Sequence, residues 1–121
     1  MPTLTPGTTL SALRLAVGAG AYAAPGLTGK VFGLDMTGNP QSYLARLFGV
    51  RDIALAAAVY GAEGDARRLA WKLGIACDAL DGVAAILGGR DGSLPKSTAI
   101  SGGLTAFAAA GLGVAALLAD E

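Results

Sequence analysis

The sequence predicts an all-α protein, an antiparallel four-helix transmembrane bundle, and three observations point there. The chain of 121 residues is 53% hydrophobic and only 15% charged, with a mean hydropathy of +0.54, whereas a soluble domain carries about 25% charged residues. Its apolar residues gather in four stretches of helical length, separated by short segments rich in Gly, Pro and charge. The last stretch runs from Thr98 to Ala119 without a charged side chain, and at ~1.5 Å per residue it matches a hydrocarbon core of ~30 Å.

Taken in order, the first helix is expected over Thr9 to Ala24, with an earlier start allowed because Pro6 suits a helix N-terminus. Residues Pro25 to Ser42 hold four glycines and Pro40 around Val31-Phe32 and Leu34, so a re-entrant or surface-lying segment is expected there. The second helix is expected over Tyr43 to Ala62 and the third over Leu69 to Leu87. The Glu63 to Arg68 turn between them is too short to cross anything, which makes the two an antiparallel hairpin. Arg90 to Lys96, with Gly92 and Pro95, closes a second hairpin onto the fourth helix, Thr98 to Ala119.

Small residues recur at four-residue spacing, as Ala12, Ala16, Gly20 and Ala24 on the first helix and Gly102, Ala106 and Ala110 on the fourth. In lipid such stripes let backbones approach, so they are read as packing faces. Tyr22, Tyr43, Tyr60 and Trp71 fall near helix ends, where aromatic rings act as interfacial anchors. Nine Lys and Arg balance nine Asp and Glu, so no charge excess draws nucleic acid. The single Cys77 has no partner for an internal disulfide, and without histidine there is no His/Cys zinc site. Basic residues are split three against three between the two sides, which leaves the orientation open.

Charge within the helices is the informative feature. Measured from the side of the Glu63 to Arg68 turn, Asp52 is about 15 Å deep with Arg51 one residue deeper, Asp78 about 13 Å, Asp81 about 18 Å and Arg14 about 8 Å or more. Five charged side chains on three helices thus converge on one layer. Each costs about 2.5–3.5 kcal/mol at a bilayer centre unless it pairs or meets water. Arg46 and Lys72 lie nearer the surfaces, where long cationic chains snorkel. Asp78 and Asp81 share one face of the third helix with Gly74, Gly82 and Ala85, so that face looks inward. Arg51 and Asp52, about 100° apart on their helix, are expected to reach different neighbours. Two arginines against three carboxyls leave one carboxyl over, and one of the pair Asp78/Asp81 is expected to hold a proton near neutrality.

The run Asp78-Ala-Leu-Asp81-Gly82-Val-Ala-Ala85 matches the first half of the metal-binding motif of CDP-alcohol phosphotransferases. Ile86 stands where that family has Arg, and no later Asp pair follows. No metal site is therefore assigned. The stretch Tyr43-Leu-Ala-Arg46-Leu-Phe-Gly49-Val-Arg51-Asp52, with Phe32-Gly33-Leu34 before it and Asp78-Ala-Leu-Asp81 after it, resembles small four-helix membrane proteins of actinobacteria and some fungi. That family carries a domain of unknown function and is distantly like the DoxX group. The resemblance implies a multi-pass protein of a bacterial cell membrane and singles out Arg46, Arg51, Asp52, Asp78 and Asp81. It implies no activity.

Two functions remain open. In the first, the bundle binds a lipophilic small molecule and performs acid/base chemistry on it, as an intramembrane isomerase, cyclase or epoxide-opening enzyme. Asp78, Asp81 and Asp52 would then be catalytic, and Arg51, Arg14 and Arg46 substrate-binding. No nucleotide or phosphate loop is present, so no cofactor is expected. In the second, the chain is a non-enzymatic accessory subunit that packs its small-residue stripes, above all on the fourth helix, within a homo-oligomer or a larger membrane complex.

Overall fold

The computed structural model describes residues 4–121. These fold into five helices and no strand, α1 (Pro6–Ala23), α2 (Pro25–Val31), α3 (Gln41–Gly61), α4 (Gly64–Asp91) and α5 (Lys96–Leu118). The all-α expectation holds, with one more helix than foreseen. Among the described residues only α5 is long and apolar enough to cross a membrane by length and composition, and 22% of its apolar window is buried within the bundle. The other helices of the expected spans are diluted by Thr, Gly and interior charge: Arg14 in α1, Arg46, Arg51 and Asp52 in α3, and charges along most of α4.

α1 begins at Pro6, where proline's missing N–H costs nothing. Ahead of it the Thr5 hydroxyl accepts from the Thr8 N–H at 3.1 Å, and the Thr8 hydroxyl accepts from the Thr5 N–H at 2.9 Å. Thr5→Ala removes this reciprocal cap and is expected to cost about 0.5–2 kcal/mol in an unfolding titration in detergent. Pro25 ends α1 because it pushes the preceding residue out of helical geometry, and Ala24 sits at φ −138, ψ 67.

The segment expected to be re-entrant or surface-lying is a helical corner followed by a loop, with Leu27 and Val31 exposed. α2 is two turns long and stops in a paired C-terminal motif. Gly33, at φ +76, donates to the Lys30 carbonyl at 3.0 Å, and Leu34 donates to that of Gly29 at 2.8 Å. In the loop, the Asp35 carboxylate accepts from the Thr37 hydroxyl and amide, which hold it below the usual carboxylate range. A lowered folded value means that this turn is supported above the ordinary carboxyl value and released as pH falls through the lowered one. The Thr37 amide resonance is expected to move over that acidic window, and to lose the movement in Asp35→Ala.

α4 is longer than expected at both ends. The apolar stretch marked only its middle, and only Ala62 and Glu63 separate it from α3. Arg67 closes the corner by donating from Nε to the carbonyls of Val59 and Ala62, at 2.9 and 3.0 Å, which would otherwise be unpaired at the end of α3. α1 packs chiefly on α3, and α4 on α5.

The packing faces differ from the expected stripes. α1 buries Gly7, Leu10, Ser11, Arg14, Gly18 and Ala21, while Ala12 and Ala16 are exposed. Gly18 and Gly49 form the α1–α3 crossing, because a Cβ on either would collide with the other's carbonyl oxygen. On α5 the buried residues are Thr98, Gly103, Ala109, Gly113 and Ala116, and Gly102, Ala106 and Ala110 of the expected stripe are only partly buried.

Large apolar side chains meet at one end only, where Leu10, Val59 and Trp71 pack with Ala70, Ala109 and Ala116. Trp71, expected as an interfacial anchor, is 2% exposed and donates from its indole nitrogen to the Glu121 carbonyl at 3.0 Å. Tyr22, Tyr43 and Tyr60 are exposed. Elsewhere the fully buried residues are chiefly Gly, Ala and charge, and many leucines lie outside. On α4, Leu69, Leu73, Leu80 and Leu87 all face outward, and Leu80 is 67% exposed while Asp78 beside it is 5% exposed.

Candidate functional site

The bundle is filled at one end and hollow at the other. Along α1 the interior passes from Leu10 in the packed end to Arg14, then to Val17 and Ala21 on a cavity wall. α3 runs the same way from Val59 through Asp52 to Phe48, and α4 from Trp71 through Asp78 to Ala85. The cavity measures about 420 Å³ and is lined by all five helices. Pro25, Thr28 and Gly29 of α2, with Phe32, Leu34 and Met36 after it, close its far end. The Thr98 hydroxyl ties this cover to α5 through the Gly33 carbonyl at 3.4 Å. The walls are mostly apolar, and the charged layer lies between cavity and packed end.

Helix geometry brings four of the five converging residues to the cavity wall: Arg14, Asp52, Asp78 and Asp81. Arg14 Nη2 donates to Asp78 Oδ2 at 2.5 Å, and both side chains are buried. Gly74 makes room for this guanidinium, since a Cβ there would lie 2.6 Å from Nη2 and 2.9 Å from Nη1. Arg51 grips Asp81 with two parallel bonds, Nη1 to Oδ1 at 3.0 Å and Nη2 to Oδ2 at 2.6 Å, the strong geometry for this pair. Its guanidinium also lies 4.6 Å from the centre of the Phe48 ring.

Arg51 and Asp52 do touch, contrary to the expectation from their angular separation. The long guanidinium folds back while holding Asp81 and reaches Asp52 Oδ1 from Nη2 at 3.3 Å. That is the one ionic contact Asp52 makes among the described residues, and it is longer than either bond to Asp81. The carboxyl without an arginine of its own is therefore Asp52. The sequence places the surplus on Asp78 or Asp81, but each of those has a separate arginine. Asp52 is buried, and Arg51, Asp78 and Arg14 are the charged groups around it.

Two expected ligand-binding arginines stand elsewhere. Arg46 is exposed and donates from Nε to the Tyr22 carbonyl at 3.2 Å, which fastens α3 to the end of α1. Arg51 is half-buried behind Asp81 and off the cavity wall, so it positions that carboxylate. Among the described residues no three His, Cys, Asp or Glu side chains are placed to hold a metal ion.

The cavity itself and its far cover were not foreseen. The Phe32-Gly33-Leu34 run and the hydroxyls of Thr98 and Thr105 in an otherwise apolar helix were the available signals. Gly102 and Ala106, read as packing or partner surface, line this cavity. Comparison of the chain with family models, with curated proteins and with solved structures finds no match.

Proposed function

We propose that the chain is a multi-pass membrane bundle, as its resemblance to the DoxX-like bacterial membrane proteins suggests, and that its cavity holds a lipophilic small molecule with its polar end against the Arg/Asp layer. At ~1.5 Å per residue α1, α3, α4 and α5 are about 27, 32, 42 and 35 Å long, close to or beyond the ~30 Å of a bilayer core. The placement of side chains supports the same reading. Exposing Leu80 and its outward neighbours to water while burying Asp78 is unfavourable on both counts; lipid around the bundle removes the first cost, and the interior ion pairs answer the second. The protein is expected to stay in the membrane pellet after an alkaline wash. Recovery of folded monomer in the aqueous fraction would contradict the membrane reading.

One observation carries the functional reading: an apolar cavity of about 420 Å³ ends on a buried carboxyl, Asp52, that has no arginine of its own. A lipophilic molecule reaches such a site from the bilayer. There Asp52 can give a proton to an alkene, carbonyl or epoxide oxygen and take one back from the product-forming centre, which is the chemistry of isomerisation, cyclisation or epoxide opening. Asp78 and Asp81, held by Arg14 and Arg51, fix the field around it.

The test is organic extraction of protein purified in mild detergent, followed by mass spectrometry. A lipophilic molecule near one equivalent is expected from the wild type and its loss is expected from Ala106→Phe, whose ring enters the cavity. Equal recovery from both proteins, or nothing but bulk lipid from either, would contradict the reading.

A further inference from the structure

Charge on the cavity wall narrows the ligand class, granted the reading of the cavity as a ligand site. Three carboxyls and one guanidinium line it, those of Asp52, Asp78, Asp81 and Arg14, while Arg51 lies behind Asp81. Even with Arg51 included, two cations face three carboxylates, so the fully ionised layer lacks one positive charge.

The free donors of Arg14 do not offset this. Its Nε and Nη1 have no acceptor among the described residues, but both are buried from solvent-sized access, and Nη1 is pressed against α4 at Gly74. Its accessible bonding is committed to Asp78 at 2.5 Å. An anionic head group would thus meet a carboxylate-rich wall whose two arginines are each already paired with a carboxylate, and would enter at the cost of like-charge repulsion in a low dielectric. A cationic head group meets Asp52, whose one ionic contact among the described residues is the 3.3 Å bond from Arg51.

We infer that the cavity selects a lipophilic amine, a single-chain amphiphile whose ammonium supplies the missing positive charge at Asp52. The ammonium donates to the Asp52 carboxylate, and the chain lies along the apolar wall toward Phe32 and Met36. An ammonium held there keeps Asp52 ionised, so a bound amine occupies the cavity as a ligand and is not a substrate for acid chemistry at that carboxyl.

The experiment uses the full chain in a neutral detergent with three probes of equal chain length, dodecylamine, dodecanol and dodecanoic acid, at neutral pH. Native mass spectrometry reads occupancy, and a thermal-shift titration reads affinity. Dodecylamine is expected to bind at least tenfold more tightly than dodecanoic acid, with dodecanol between them, and Asp52→Asn is expected to bring amine and alcohol to within about threefold of each other. Ala106→Phe abolishes binding of all three and locates it in the cavity.

Equal or tighter binding of the acid overturns the charge assignment while leaving the cavity a ligand site. Binding of none of the probes overturns the ligand site itself, and the inference with it. If Asp52→Asn does not fold, the wild-type order of the three probes decides the question alone.

Discussion

Arg14→Met is expected to destabilise the folded bundle by about 3–5 kcal/mol, because it leaves the Asp78 carboxylate buried without its partner. The arginine and Asp78 meet at 2.5 Å with both side chains shielded. Methionine fills much of the stem's volume, so the loss reports charge more than packing. Adding Asp78→Asn to the same chain removes the stranded charge and is expected to recover most of the loss, a coupling that a double-mutant cycle in detergent measures directly. The control is Arg90→Met, at an exposed position, which is expected to change stability by less than about 0.5 kcal/mol. Arg14→Met no more costly than this control would show that the pair does not hold the helices together.

Gly49→Ala is expected to be the most damaging single-methyl change in the chain. Its Cβ would meet the Gly18 carbonyl oxygen and come within 2.9 Å of the Tyr22 backbone nitrogen. Backbone atoms cannot rotate away as a side-chain end can, so the two helices must separate, at about 1–3 kcal/mol. The separation also moves Asp52 and Arg51, one turn further along α3, relative to Arg14. Loss of ligand binding in the cavity is expected to accompany the loss of stability. Gly61→Ala, in the same helix with no atom within 4 Å of the new methyl group, is expected to be neutral or to stabilise by up to about 1 kcal/mol. Similar unfolding midpoints for the two variants would remove the crossing from the account.

Convergence of Arg14, Arg51, Asp52, Asp78 and Asp81 was legible because a helix fixes rise per residue, and antiparallel neighbours turn residue counts into depths. Their pairing was not legible. Which carboxyl each guanidinium takes depends on lateral helix placement and on rotamers, and the bidentate grip of Arg51 on Asp81 leaves Asp52 as the surplus group. Arg46 carries the same charge as Arg51 in the same motif, yet five residues along α3 it faces outward to the end of α1.

Trp71 reads as an anchor in the sequence because position near a helix end does not reveal which side of the helix faces inward. Hydropathy also hid the ends of α4, whose terminal turns are charged but still helical. The cavity left the faintest trace, since it is an absence of side-chain volume spread over five helices. Its cover lies in the Pro25 to Ser42 segment, whose glycines and Pro40 mark a re-entrant or surface-lying stretch without revealing what it would cover.

A structure determined from protein extracted gently from its native membrane and kept in lipid tests the central claim most directly. Elongated density is expected in the cavity, running from the Asp52 carboxyl along Ala106 toward Phe32 and Met36, with the Arg14–Asp78 and Arg51–Asp81 pairs intact beside it. A cavity closed by inward movement of its walls, with Asp52 paired to an arginine of its own, would contradict it.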